Sequence, residues 1–263
     1  MWSGINPSLP FRYFKYTTIM NSVIPRTLNP EIDSDLEREV AFFLKWGYLV
    51  VEDAITKDQV EQLRAALDET FERKSEMFVH QLLEADERFL FLLDNSPVLR
   101  RMTAILGNCV QLHSATARIT EKGAEDQDWH RDGPWPMDSA GTPYGSLPAQ
   151  INCGYYLDDL SPENGPIAIL PGSHRALFGP PAGHPRFPDE LHVMARPGQA
   201  VMFDGWIYHR GVANNSMRRR VCLMCYQNAW MKSRESFEGP RARHLREHGT
   251  DEQKLLLGAV EKW

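Results

Sequence analysis

Long apolar runs are missing: nowhere do the 263 residues approach the ~18 consecutive apolar side chains that a membrane-crossing helix needs. Cysteine is scarce. Cys109, Cys153, Cys222 and Cys225 lie in unrelated segments, which excludes a disulfide framework and points to a reducing, cytoplasmic setting. Cys222 and Cys225 do form a C-x-x-C, but inside the apolar run from Val221 to Tyr226. Strand residues three apart face opposite sides, so no zinc or redox site is expected there. Basic excess is also lacking. A formal charge of −6 and a pI near 5.9 argue against a nucleic-acid surface, which needs clustered positive charge. The first twenty residues contain no continuous apolar segment followed by a small-residue cleavage site, so no signal peptide is expected. Residues 1–30 read as a flexible arm, with Met20 as an alternative start. Without a secretion signal, the sequon Asn214-Asn215-Ser216 is taken as coincidence.

The bulk of the chain is ordinary globular material, with 42% hydrophobic and 24% charged residues. The expectation is one domain over residues 31–263: a helical layer to about 107, a β core over about 108–230, then a helical tail. Ser34 with Glu37, and Thr56 with Gln59, have the spacing of capping boxes. Leu36, Val40, Phe43 and Leu44 follow the first at helical intervals, and Val60, Leu63, Leu67 and Phe71 follow the second. Tyr48–Val51 reads as a short extended piece. Ser96-Pro97 reads as an N-cap with proline in the first turn of a helix ending near Gly107. Beyond residue 108 come apolar runs at Val110–Ile119, Gln150–Leu157, Ile167–Leu170, Ala200–Phe203 and Val221–Tyr226. Connectors rich in Gly, Pro, Asp and Asn separate them, which is the texture of a jelly roll.

Within this β region, His130-Arg131-Asp132 places a histidine and a carboxylate two residues apart, on one side of an extended segment. One more histidine completes the two-His, one-carboxylate facial triad. That set holds three positions of an octahedral iron(II) and leaves three open. Alone, H-x-D is a weak motif. It gains weight from His209, which follows a strand and a turn, and from Arg219 and Arg220, ten and eleven residues further on. A guanidinium there offers the bidentate fork that suits a carboxylate.

These pieces, in this order, resemble the phytanoyl-CoA dioxygenase family of iron(II)/2-oxoglutarate oxygenases over residues 35–230. The resemblance rests on Phe42–Val51, Trp129–Asp132, Tyr156–Leu160 with Pro162–Pro166, Leu170–His174, and His209 with Asn214, Ser216 and the arginines. It implies a mainly β, cupin-like double-stranded β-helix with an N-terminal helical layer. It also implies that His130, Asp132 and His209 hold Fe(II), and that 2-oxoglutarate and O2 are co-substrates. One of Arg219 and Arg220 would grip the distal carboxylate of 2-oxoglutarate. An eleven-residue spacing from the histidine selects Arg220, whereas matching the strand Arg-Arg-Val-Cys-Leu-Met-Cys-Tyr selects Arg219. Neighbours on a strand face opposite ways, so only one can serve, and Arg219 is preferred. The other would be solvated or turned to a helix. Asn152, on a core strand, is a candidate co-substrate or substrate contact, with Arg118 and Lys122 behind it.

The carboxylate at Asp132, where related halogenases carry Gly or Ala, favours hydroxylation or another oxidative outcome. A small organic molecule is the expected substrate, with no nucleic acid or membrane as partner. Phe78, Trp129, Trp135, Tyr144 and Trp206 are candidates for lining its pocket. Arg131, between two ligands, is expected to point away from the metal as a surface charge. His174 is read as structural, and His113, His184, His192, His244 and His248 show no ligand pattern. A non-catalytic jelly-roll binding protein and a hydrolase using another metal are the rival readings. The second lacks the motifs of its class.

Overall fold

The structure is a computed structural model that describes residues 34–74, 78–133, 148–176 and 186–259. The expected N-terminal arm, Trp135, Tyr144 and His184 lie outside these residues. Helix α1 (Ser34–Trp46) opens with Asp35 and Glu37 and closes with Lys45, charges that complement its dipole. It buries Leu36, Val40 and Phe43. At its end Gly47 takes φ +79°, and an added Cβ would fall 2.5 Å from the His174 ring, so this turn requires glycine. Helix α2 (Lys57–Lys74) begins at the expected capping box. The Gln59 amide N–H donates to Thr56 Oγ1 (3.2 Å), and the Thr56 N–H donates to Gln59 Oε1 (2.8 Å).

A one-turn helix α3 (Leu82–Ala85) and a 3-10 turn (Glu87–Leu92) lead to α4 (Ser96–Leu106). The N-cap of α4 is Asn95, one residue earlier than expected. Its side chain accepts from the Val98 N–H, and Ser96 is already helical. Helices α5 (Pro240–His248) and α6 (Asp251–Leu256) follow the β core. Among the described residues, no helix is long and apolar enough to cross a membrane.

The strands are β1 (Tyr48–Val51), β2 (Phe78–Val79), β3 (Val110–Thr120), β4 (Gln150–Tyr156), β5 (Ile167–Ile169), β6 (Leu191–Val193), β7 (Ala200–Asp204), β8 (His209–Gly211) and β9 (Arg219–Asn228). They form two antiparallel sheets, ordered β1-β7-β4-β9-β3-β2 and β6-β5-β8. Strands β2, β6 and β8 were not anticipated, because β2 has only two residues and β6 (Leu-His-Val) and β8 (His-Arg-Gly) lack the apolar run that marks the equally short β5. The apolar core between the sheets includes Tyr156, Ile167, Ile169, Val193, Val201, Phe203, Ile207 and Val221. On the other face of the large sheet, the Tyr226 hydroxyl donates to the carbonyls of Leu92 and Leu93 beneath the helical layer. This is the double-stranded β-helix with an N-terminal helical layer.

Strand register orders the inner face of the large sheet into cross-strand rows. Phe203, Asn152, Cys225 and Ser114 make one row. Val201, Gly154, Leu223 and Thr116 make the next, then Tyr156, Val221, Arg118 and Phe78, and finally Arg219 with Thr120. Side chains alternate along each strand, so everything named in these rows faces the barrel interior.

Candidate metal centre

His130 and His209 are brought together by the backbone itself. Each donates its N–H to the other's carbonyl at 3.0 Å, an isolated antiparallel bridge between the H-x-D segment and the start of β8. Two residues on, the N–H groups of Asp132 and Gly133 both donate to the Gly205 carbonyl (2.9 and 2.6 Å). Gly133 lies so close to Trp206 that a Cβ would come within 2.3 Å of its ring. The side chains then converge. His209 Nε2 is 3.3 Å from Asp132 Oδ2, His130 Nε2 is 3.8 Å from Asp132 Oδ1, and the three donor atoms all lie within 4.8 Å of one another.

Orientation of the imidazoles is also fixed. His130 Nδ1 is 2.8 Å from the Asp128 carbonyl and His209 Nδ1 is 3.0 Å from the Ile207 carbonyl. A carbonyl can only accept, so each Nδ1 carries the proton and each Nε2 presents a lone pair inward. Cis donors at ~2.1 Å from a shared ion sit ~3 Å apart, so the two imidazole–carboxylate pairs need sub-ångström closure and no pair of donors needs more than about 2 Å. The three residues thus fit one metal ion, with His209 buried and the His130 and Asp132 side chains partly exposed. Burial and the neighbouring His209 depress the His130 imidazole. Burial raises the Asp132 carboxyl, but hydrogen bonding to His209 and both nearby imidazoles more than offset it, leaving it below its usual range. Both directions favour the ligating forms.

Asn152 donates its amide to Asp132 Oδ2 at 3.0 Å. The sequence suggested a co-substrate or substrate contact, and the structure adds this bond to the carboxylate of the convergent group. Asn152→Ala should weaken metal affinity by ~10–100-fold, the usual effect of losing an outer-shell partner. A competitive chelator titration measures it.

Arg219 and Arg220 diverge as strand alternation requires. Arg219 enters the interior, 6% exposed. Its guanidinium donates to the Gly165 carbonyl and to Thr120 Oγ1 (2.8 Å), beside the Tyr156 ring. No carboxylate pairs with it among the described residues, and its Nε is buried without a partner. Burial accordingly pushes its pKa down. Arg220 takes the opposite face, bonding to Asp68 of α2 (2.8 and 3.0 Å) and to Asp158 (2.9 Å). Burial works against its charge, but those carboxylates outweigh it and raise its pKa.

The expectation for Arg131 is corrected. Arg131 is half-buried rather than a surface charge. It donates to the carbonyls of Ser173 (2.8 Å) and Ala176 (3.2 Å) and lies 4.0 Å over the Tyr208 ring. Trp129 is engaged away from the triad, edge-on to Phe187 and under the guanidinium of Arg210. Trp206 packs on Gly133, and Phe78 remains on the inner face beside Arg118. His174 has the structural role expected of it, with Nε2 3.2 Å from the Leu44 carbonyl at the end of α1. Cys222 and Cys225 are both buried and unpaired, on opposite faces of β9. Asn214 is fully buried, donating to the Thr120 and Met217 carbonyls, so it presents no glycan acceptor.

Two features escaped sequence reasoning. Arg210, next to His209, is 1% exposed and paired with Asp126 (2.7 Å) and Glu190 (3.2 Å), which ties β8 to the segment leading into His130. Its neighbour His209 drew attention instead. The other is Asp204, at the end of β7, whose carboxyl burial raises to about 7, against the Trp206 N–H bond and nearby arginines. An aspartate ending an apolar strand before Gly-Trp was the available signal. The folded state keeps a proton that the unfolded chain releases above 3.8, so this group costs stability as pH rises. Asp204→Asn should therefore gain on the parent between pH 3.8 and about 7, then level off. The gap should reach at most about 4 kcal/mol at ~1.4 kcal/mol per pK unit. Denaturant melts across that pH range test it.

Comparison with known proteins agrees with this geometry. Dioxygenase trt7 of Aspergillus terreus is 26% identical over 186 residues, 71% of this chain and 58% of its own. The ectoine dioxygenase of Sphingopyxis alaskensis is 28% identical over 159 residues, 54% of this chain and 50% of its own. The chain thus spans little more than half the length of these curated relatives. HygX from Streptomyces hygroscopicus, solved with nickel and 2-oxoglutarate bound, shares the fold at a TM-score of 0.65 and 17% identity. That match covers 74% of this chain and 88% of HygX. The family model of phytanoyl-CoA dioxygenase matches residues 43–222. That span takes in strands β1 to β8, the start of β9 and all three convergent side chains, and the chain therefore belongs to the phytanoyl-CoA dioxygenase family.

Proposed function

We propose that this chain is a mononuclear non-haem iron(II) dioxygenase of the cytoplasm that oxidises a small organic molecule, with 2-oxoglutarate and O2 as co-substrates. His130, Asp132 and His209 would hold the metal on one face, leaving the remaining positions to the co-substrates. Iron with 2-oxoglutarate and O2 supplies the oxidising chemistry, with decarboxylation to succinate, and hydroxylation is the outcome favoured by the carboxylate ligand.

The observation that carries this reading is Arg219. A guanidinium buried on the same inner sheet face as Asn152, with no carboxylate against it among the described residues, is costly unless an anion completes it. The distal carboxylate of 2-oxoglutarate is such an anion, and Gly154, on the strand between Asn152 and Tyr156, adds no side chain where Tyr156, Leu223 and Val221 already close in. The protein's share of the work is placement. Nδ1–carbonyl bonds aim the imidazoles, Asn152 aims the carboxylate, and the apolar walls of Phe203, Val201 and Tyr156 exclude water.

The test is anaerobic. Protein with Fe(II) and 2-oxoglutarate should develop a metal-to-ligand charge-transfer band, and admission of O2 should release succinate. Absence of the band with stoichiometric iron bound would refute the reading.

A further inference from the structure

Positive charge beside the triad exceeds what iron and 2-oxoglutarate require. A ferrous ion, Asp132 and a 2-oxoglutarate dianion sum to one negative charge, which Arg219 neutralises. Two further arginines remain. Arg118 is on the inner face of β3, two residues from Thr120 and opposite Val221, in the row that ends at Phe78. It shares that inner face with Arg219, whose guanidinium bonds Thr120 two residues along β3. Arg234 follows β9, with its backbone N–H bonded to the His113 carbonyl at 3.0 Å, next to Ser114 on β3.

Ser114 is in the same row as Asn152 and Cys225. The two arginines therefore bracket the metal row on its β3 flank, one four residues along the strand from Ser114 and the other anchored beside it. Arg118 is partly exposed and Arg234 exposed, and neither makes a salt bridge among the described residues. Glu235, the nearest acid in sequence, is turned inward, where its carboxylate accepts the N–H groups of Gln81 (2.7 Å) and Ala115 (2.8 Å). Arg218, by contrast, is paired with Glu121 on the surface.

We propose that the prime substrate is an anion, whose carboxylate or phosphate is held by Arg118 and Arg234 on the β3 flank of the metal centre. Two guanidinium forks offer bidentate bonds that would orient such a group. The oxidised carbon would then be presented to the metal from the β2–β3 side, with Phe78 at the edge of its path. The inference rests on the iron/2-oxoglutarate reading above and gives its site a substrate class.

The experiment uses the full chain loaded anaerobically with Fe(II) and 2-oxoglutarate. The probes are inorganic phosphate and a panel of small organic acids, each with its methyl ester and its phosphate-bearing analogue. Displacement of the charge-transfer band and the rise in Tm report binding without turnover. The acids or the phosphates should bind at least about tenfold more tightly than the matched esters, and which of the two wins identifies the anion. R118Q and R234Q should each erase about tenfold of that preference while leaving 2-oxoglutarate affinity within about threefold, and R218Q should change neither. Esters that bind as well as acids, or a panel without any anion preference, would overturn the proposal. So would variants that keep the full preference. An R118Q protein that loses 2-oxoglutarate affinity instead would assign that arginine to the co-substrate and also overturn it. Failure of the parent protein to form the band at all would fall on the oxygenase reading rather than on this one.

Discussion

His209→Ala is expected to abolish both the charge-transfer band and succinate release, a loss of more than ~100-fold that exceeds the ~10–100-fold cost of removing an outer-shell partner. The expectation follows from geometry. His209 is the most deeply buried of the three donors, its ring lies 4.4 Å from that of His130, and its Nε2 is the nearest imidazole nitrogen to Asp132. Its removal leaves a histidine and a carboxylate two residues apart on one exposed segment, too few donors to fix a ferrous ion in an open geometry. The backbone bridge to His130 does not depend on the side chain, so the fold should survive. Iron quantification alongside far-UV circular dichroism separates a lost ligand from a lost structure.

The second large effect divides two neighbouring arginines. Arg219→Ala should raise the KM for 2-oxoglutarate roughly a hundredfold, the equivalent of about 3 kcal/mol for losing one partner of a buried charge pair. Metal affinity should be nearly unchanged. Arg220→Ala should leave that KM within a few-fold and instead lower stability by about 1–3 kcal/mol, because it strips Asp68 and Asp158 of their shared cation. Steady-state kinetics with varied 2-oxoglutarate, paired with denaturant melts, read the two outcomes independently. If Arg220→Ala carried the kinetic effect, the co-substrate would have to enter from the helical side of the sheet.

Much of this was legible in the sequence, for reasons that can be named. The longer strands, β3, β4, β7 and β9, announced themselves by apolar runs between turn residues. The first two long helices did so by capping and apolar spacing. The triad was visible because a facial arrangement needs two ligands from one extended segment, and His130 with Asp132 supplies them. The choice between Arg219 and Arg220 was half visible. Alternation required opposite faces, but naming the inner one needed the register that sets Cys225 beside Asn152, and Asn152 beside Asp132. Arg131 was misjudged because pointing away from a metal is not the same as pointing to water. Here the far side of the segment is filled by the Ser173–Ala176 turn, a contact between residues more than forty apart in the chain. Arg118 was already a lesser candidate contact, but Arg234 acquires meaning only once β3 and the segment after β9 lie side by side.

The reciprocal bond between His130 and His209 has a further consequence, for the order in which the protein assembles. It joins positions about eighty residues apart, and closing so long a chain segment costs on the order of 4 kcal/mol of entropy. No local stretch can gather the ion early, since the third donor arrives only when β8 has docked. Metal capture is therefore a late event that locks a topology already reached, and the loaded protein should open that seam more slowly to solvent deuterium than the stripped one.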